Sequence, residues 1–317
     1  MTGGRVLVSG ANGFIGRWSV PALLARDYEV HAVASSRGFS DRTIPLELRG
    51  AQVHAVDLLD AYSVDRFVSE IRPTHLLHFA WVATPRSYWT SLENYAWVEA
   101  SLRLMRSFYA AGGTRAVIAG TCAEYDWTKA QICREDSTPL ATDAARLATP
   151  YATCKIALQK MTATYGRQVG LSVAWGRIFF QYGPYEHPDR LVSSVVRSLL
   201  SDREALCSHG RQIRNYMHVS DVAAALVALL DSAVEGPVNI GSDERIEIAD
   251  LLKIIGEQLD RAALLRLGAR PASPDEPKAL VPDVGRLYNE VLWRPEFSLA
   301  HGLADTIAWW RNELRPV

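Results

Sequence analysis

Short apolar runs alternate with longer amphipathic stretches along the first 240 residues of this chain. The runs Val6–Ser9, Glu29–Ala34, Gln52–Val56, His75–Phe79, Ala116–Ala119, Leu171–Arg177 and Pro237–Ile240 are rich in Val, Ile, Leu and Ala. Their length and near-continuous hydrophobicity predict strands buried on both faces, as in a parallel sheet. Between them, Trp18 to Leu24, Asn94 to Ala111 and Tyr151 to Arg167 carry apolar residues at helical spacing, as does Leu299 to Trp310 near the end. Strand and helix in alternation predict an α/β fold: a Rossmann-type doubly wound parallel sheet.

After about Phe180 the pattern shortens. Pro184, Pro188, His209-Gly210 and Gly236-Pro237 punctuate it, and the Pro- and Ala-rich segment 265–283 reads as a surface loop. Residues 1–179 are therefore expected to form a dinucleotide-binding domain. Residues 180–317 are expected to form a smaller mixed α/β C-terminal substrate lobe, across a soft boundary that the chain can cross more than once.

Composition narrows the function by exclusion. With 317 residues, 48% hydrophobic and 22% charged, the chain can bury a sizeable core, and its net charge of −1 gives no reason to expect nucleic acid or an anionic membrane. No apolar stretch reaches the about 18 residues a membrane helix needs, and a strand follows the N-terminal Met at once, so no signal peptide is expected. The four cysteines, Cys122, Cys133, Cys154 and Cys207, make no Cys-x-x-Cys pair, and the eight histidines make no ligand pattern. Reduced thiols in a cytoplasmic protein without a metal site are the expectation.

The first strand runs into Gly10-Ala11-Asn12-Gly13-Phe14-Ile15-Gly16. Gly10 permits a tight turn, Gly13 lets the backbone approach a pyrophosphate, and Gly16 lets the next helix pack close to the strand, with open amides at the helix start facing the anion. Further on, Tyr151-Ala152-Thr153-Cys154-Lys155 puts a phenol and an ammonium at i and i+4 of one helix face. A neighbouring cation lowers a tyrosine pKa from about 10, which suits proton exchange with a carbonyl or alcohol. Alone, the same spacing also fits a solvated helix face.

Together the glycines and the Tyr151/Lys155 pair resemble the extended branch of the short-chain dehydrogenase/reductase superfamily, the NAD(P)-dependent nucleotide-sugar epimerases, dehydratases and reductases. Ala119 to Tyr125 is similar to the branch's segment after its fifth strand, and Thr149 to Lys155 to its Pro-Tyr-x-x-x-Lys. Arg177 with Tyr182-Gly183-Pro184 matches apart from Phe180, which stands in place of an Asn. Gly210 to Val222, Asn239 to Ser242 and Trp293-x-Pro295 continue the resemblance in order to the C-terminus.

The resemblance implies Thr121, Tyr151 and Lys155 as catalytic residues. It implies a cofactor site of Gly10, Gly13, Phe14, Ile15, Gly16, Ser35, Ser36, Arg37, Asp57, Leu58, Phe79 and Ala80, with Tyr151 and Lys155. The second strand ends in alanine followed by Ser35-Ser36-Arg37, where NAD-preferring members carry a carboxylate, so NADP (NADPH) is expected and NAD is the alternative. On the substrate side stand Arg214, for a diphosphate, Arg190 more weakly, Trp81, as a sugar-stacking or a packing residue beside Tyr88 and Trp89, and Glu124, as a polar contact near the site mouth or a catalytic group. His78 reads as a core or loop histidine, and the Asn that usually starts the fourth helix falls at Trp97 or, shifted, at Asn94.

Dehydratases of the branch carry Asp-Glu after the catalytic Thr, and here the positions are Cys122 and Ala123. The expected activity is NADPH-dependent reduction of the C4 ketone of a nucleotide-linked 4-keto-6-deoxyhexose, with Tyr151 as general acid. A 4-epimerase with tightly bound NAD(P) is the alternative, and a non-catalytic dinucleotide sensor is the remaining class. A homodimer is expected through Asn94–Ala111 and Tyr151–Arg167, whose Leu102, Met105, Leu158 and Met161 look exposed.

Overall fold

The computed structural model describes residues 4–34, 45–85, 87–142, 148–273 and 276–315. In chain order the elements are β1 (Arg5–Ser9), α1 (Gly16–Leu24), β2 (Glu29–Ala34), β3 (Gln52–Ala55), α2 (Ala61–Ile71), β4 (His75–His78), α3 (Glu93–Ala110), β5 (Arg115–Thr121) and β6 (Ile132–Cys133). There follow α4 (Pro150–Val169), β7 (Ser172–Ile178), β8 (Phe180–Tyr182), α5 (Leu191–Leu200), β9 (Ala205–Leu206), β10 (Ile213–Arg214), β11 (Tyr216–His218) and α6 (Val219–Asp231). The last are β12 (Gly236–Ile240), β13 (Ile246–Glu247), α7 (Ile248–Gln258), β14 (Leu265–Arg266), β15 (Ala279–Pro282), α8 (Gly285–Asn289) and α9 (Leu299–Glu313).

Seven strands form one parallel sheet in the order β12-β7-β5-β4-β1-β2-β3. They are the seven runs expected from the hydrophobic pattern. Successive side chains alternate between faces. Val6, Val8, Val117 and Ala119 thus join one core with Val20 and Leu23 of α1 and Leu226 and Val227 of α6. Leu7, Ala116 and Ile118 join the other with Val64 of α2, Phe108 of α3 and Leu158 of α4. The chain moves outward from β1 to β3, then returns to place β4 on the other side of β1. That reversal opens a crevice at the carboxyl ends of β1 and β4, where such folds take ligands.

The C-terminal half builds a third core from Val192, Val196 and Leu199 of α5, Leu251, Leu252 and Ile255 of α7, and Leu303, Ile307 and Trp310 of α9. The chain crosses between the lobes: β6 joins the small sheet β13-β10-β15-β6, and β12 returns to the edge of the large one. Segment 265–283 is not wholly a surface loop. Ala279 to Pro282 are buried, and β15 pairs in parallel with both β10 and β6. Four residues are too few to display a period, so that strand is made by its partners.

Two of the apolar residues expected at a subunit surface are internal: Met105 and Leu158 are buried in the core beneath α3 and α4, while Leu102 is half-buried and Met161 exposed. Among the described residues no helix is long and apolar enough to cross a membrane.

Candidate active site

The glycine turn sits at the head of the crevice. Gly10 has φ +67°, and a Cβ there would lie 2.9 Å from the Ala80 amide nitrogen that follows β4. A Cβ on Gly16 would lie 2.2 Å from the Gly10 carbonyl oxygen, so α1 starts this close to β1 only because residue 16 has no side chain. Gly13 is exposed, and its Cβ would meet only the Gly10 oxygen, at 3.0 Å, leaving an open backbone face. A cradle that side chains would fill, at a helix start, fits a dinucleotide pyrophosphate. Phe14 and Ile15 are half-buried beside it. The Ser9 hydroxyl ties the two strand ends together: it accepts from the amides of Phe79 and Ala80 at 3.1 and 3.2 Å and bonds His78 Nδ1 at 2.5 Å. His78 is a core residue whose other nitrogen meets Ser101, and burial drives its pKa down to about 3.

The remaining cofactor residues divide. Ser35, Ser36 and Arg37 lie outside the described residues. Asp57 is exposed and its Oδ1 accepts from the Leu59 amide at 3.0 Å, which caps the loop after β3. The Leu58 side chain turns into the core with Phe67.

Helix α4 carries the Tyr151/Lys155 pair, and its start is fixed by sequence. Thr149 caps it by accepting from the Ala152 amide at 3.2 Å, Pro150 fills the first turn, and Gly170 ends it at φ +73°. Tyr151 is thereby held in the first turn and Lys155 one turn deeper. Tyr88 meets the Tyr151 ring edge-on at 4.8 Å and Trp89 at 5.6 Å, and the Tyr151 amide donates to the Trp89 carbonyl at 3.2 Å. Asn94 anchors this aromatic loop. It is fully buried, accepts from Trp81 Nε1 at 2.7 Å and donates to the carbonyls of Tyr88 and Ser91.

Lys155 is buried, donating to the Ala119 carbonyl at 2.9 Å with the Trp81 ring 3.8 Å away. Burial brings its pKa down to about 7, with Glu124 pulling the other way. The expected lowering of the Tyr151 pKa by Lys155 is not met. Burial raises the phenol above its usual range, and the side-chain hydrogen bond with Thr121 is what draws it down. The physical reason is that the ammonium is itself desolvated and held by Ala119 and Trp81. With Lys155 against one ring face and Asn94 at its edge, Trp81 packs within the protein and leaves at most one face for a sugar.

Thr121 ends β5 with its hydroxyl accepting from the Ala123 amide at 3.2 Å. Glu124 requires a correction, because it does not line the mouth of the site. It is fully buried behind Thr121, with Oε1 accepting from the Thr121 amide and Trp175 Nε1, both at 2.8 Å, and Oε2 accepting from Arg177 Nε at 2.8 Å. Two of its three partners, Trp175 and the cation Arg177, lie on β7, too far along the chain for spacing to reveal.

Arg190 stands at the start of α5, makes no capping bond through its side chain and is exposed, its guanidinium 5.6 Å from the Tyr88 ring. Arg214 is buried on β10, 5.4 Å from the Phe180 ring, and pairs with Glu276 at 3.0 Å. Gln212 holds the second oxygen of Glu276 at 2.7 Å. Glu276 went unread in the sequence because it sits in an aperiodic Pro-rich stretch. Among the described residues no group of three or more His, Cys, Asp or Glu is placed to hold a metal ion.

The chain is similar in sequence and fold to known proteins. UDP-glucuronic acid decarboxylase 1 of Arabidopsis thaliana is 29% identical over 159 residues, 49% of this chain and 36% of that protein, so the chain matches about a third of its length. The Xenopus tropicalis protein of the same name is 25% identical over 318 residues, covering 98% of this chain and 73% of that one. The structure of UDP-glucose 4-epimerase from Thermus thermophilus in complex with NAD has a TM-score of 0.83 and 26% identity, covering 98% of this chain and 100% of that chain. The model of the NAD dependent epimerase/dehydratase family matches residues 6–241. With its glycine cradle, seven-stranded sheet and Thr121–Tyr151–Lys155 cluster, the chain belongs to that family.

Proposed function

We propose that the protein reduces the C4 ketone of a nucleotide-linked 4-keto-6-deoxyhexose with NADPH. The observation that carries this reading is the chemistry beside Thr121. Cys122 is half-buried with its thiol pushed up to about 12 by burial, Ala123 is buried, and Glu124 is turned into Arg177 and Trp175. Eliminating water from a sugar needs a placed acid and base, and none of these three offers one. Exchange of hydride at C4 needs only hydroxyl groups at the carbonyl oxygen, and Thr121 and Tyr151 supply two.

A nicotinamide held at this site would supply the hydride. Tyr151 protonates the new alkoxide, and its burial keeps the phenol protonated, as an acid requires. Thr121 orients the carbonyl, and Lys155 meets the nicotinamide ribose. Gly10, Gly13 and Gly16 hold the pyrophosphate, and Ser36 with Arg37 favours the 2′-phosphate of NADP over NAD. Arg214 takes the substrate diphosphate in place of Glu276, with Arg190 at the entrance. A homodimer through α3 and α4 and a cytoplasmic location complete the reading.

A 4-epimerase is the second reading, favoured by the Thermus thermophilus UDP-glucose 4-epimerase, which matches over 98% of this chain. The two separate in one assay: the protein is given NADPH or NADH with a panel of nucleotide sugars and 4-keto-6-deoxy nucleotide sugars, and products are identified by NMR. Reduction consumes one NADPH per product. Interconversion of C4 epimers without net cofactor oxidation overturns it in favour of the epimerase, and no turnover of any nucleotide sugar overturns both.

A further inference from the structure

The buried carboxylate behind the active site has no part in the chemistry proposed above, yet the structure is built around it. Both oxygens of Glu124 accept, from three donors on β5 and β7 in all. Arg177 carries the contact onward by donating to the Tyr125 hydroxyl at 2.9 Å, which donates to Asn239 Oδ1 at 2.7 Å. The residue before Thr121 makes room for this arrangement. A Cβ on Gly120 would lie 2.0 Å from Trp175 Nε1 and 2.6 Å from Glu124 Oε1, so glycine is needed there for the carboxylate to reach the indole.

Stability alone does not require a charged pair here, since apolar residues often replace a buried ion pair at no cost, although the Thr121 amide and Trp175 Nε1 do need an acceptor. Its contacts point instead to Thr121. The Glu124 carboxylate takes the Thr121 amide while the Thr121 hydroxyl takes the Ala123 amide, a reciprocal box around one turn. With that amide filling one acceptor position, the hydroxyl keeps its proton and remaining lone pair for the side facing Tyr151. We propose that Glu124, clamped by Arg177 and Trp175, is a positioning residue that fixes the Thr121 hydroxyl toward Tyr151. The inference rests on the reading of Thr121 and Tyr151 as the groups at the reacting carbonyl.

A double-mutant cycle tests it: Glu124→Gln is measured in the wild-type and Thr121→Ala backgrounds for kcat, KM and cofactor Kd. Gln retains one carbonyl oxygen but sets its amide donor against another donor, of Arg177 or of Thr121, so the clamp loosens. A displaced hydroxyl should lower kcat by roughly tenfold to a hundredfold, with KM and cofactor Kd within about twofold, and the loss should vanish once residue 121 is alanine. An equal loss in both backgrounds, or an unchanged kcat, overturns the proposal. If Glu124→Gln folds poorly, Glu124→Leu with Arg177→Met removes both charges together, at some loss of Tm because the Thr121 amide and Trp175 Nε1 lose their acceptor, and the folded variant should still lose kcat. Full activity of that pair overturns it as well. Methyl NMR of Thr121 needs no turnover: one χ1 rotamer is expected in the wild type and an average in Glu124→Gln, and an unaltered rotamer overturns the clamp. Failure of every nucleotide sugar as substrate would remove the proposed function and leave the methyl measurement to decide the positioning.

Discussion

If Arg214 takes the substrate diphosphate as proposed, binding there competes with the protein itself. The guanidinium is 3% exposed and already holds Glu276 at 3.0 Å, while the carboxylate is 31% exposed. A nucleoside diphosphate brings two or so negative charges to the same cation, so binding requires Glu276 to yield. Glu276→Gln removes the opposing charge but leaves an acceptor for Arg214 and Gln212. Because the pair is partly solvated, its strength is no more than about 1 kcal/mol, and Glu276→Gln should tighten the diphosphate about fivefold. Arg214→Ala should weaken it by ~2 kcal/mol, roughly thirtyfold, at the low end for truncating one member of a buried charge pair, because the arginine gives up Glu276 to bind. The double variant should recover part of that loss, since Glu276 without Arg214 faces the phosphates unneutralised. Calorimetric titration of UDP, dTDP and NADPH into each variant reads these effects. The reasoning is refuted if Glu276→Gln weakens the diphosphate or leaves it unchanged, or if Arg214→Ala weakens NADPH equally.

The glycines should separate by role. Gly16→Ala, with its Cβ 2.2 Å from the Gly10 oxygen, should lower the Tm by several degrees and weaken cofactor binding by roughly tenfold or more, whereas Gly13→Ala, on an exposed backbone, should keep the Tm and lose cofactor affinity; calorimetry with a cofactor titration distinguishes them, and wild-type behaviour of Gly16→Ala would refute the steric argument. Glu186 is buried with its pKa raised from 4.5 to about 7 by desolvation, Ser193 pulling the other way. The native state therefore binds the extra proton between those values, so this group's contribution is full below pH 4.5 and is lost as pH rises through about 7. Glu186→Gln should gain ~2–3 kcal/mol over the wild type between pH 4.5 and 8 in urea unfolding, and a difference that is flat with pH would count against it.

The large sheet was legible because its inner strands are buried on both faces and so spell out continuous apolar runs, as Val6-Leu7-Val8 does between two cores, while the edge strand β3 is only half-buried. The small sheets were not, since β6, β10 and β13 are two residues each and exist only through pairing. Tyr151 and Lys155 stood out through local spacing and Thr121 through the family resemblance, and α4 is capped by residues next to the pair it presents. What spacing does not carry is contact across the fold. Arg177 lies 53 residues from Glu124, and Glu276 lies 62 from Arg214. Trp81, between Lys155 and Asn94, looks in sequence like any aromatic after a strand.

In the proposed reaction Tyr151 moves the proton that accompanies hydride transfer to a sugar carbon. That role is tested most directly by kcat of Tyr151→Phe under saturating nucleotide sugar and cofactor, followed by nicotinamide absorbance, with cofactor Kd measured alongside. Phe preserves the ring that Tyr88 and Trp89 enclose and removes only the hydroxyl. The account predicts a loss of ~10²–10⁴-fold in kcat with cofactor affinity unchanged. A variant that keeps more than half of the wild-type kcat would contradict it.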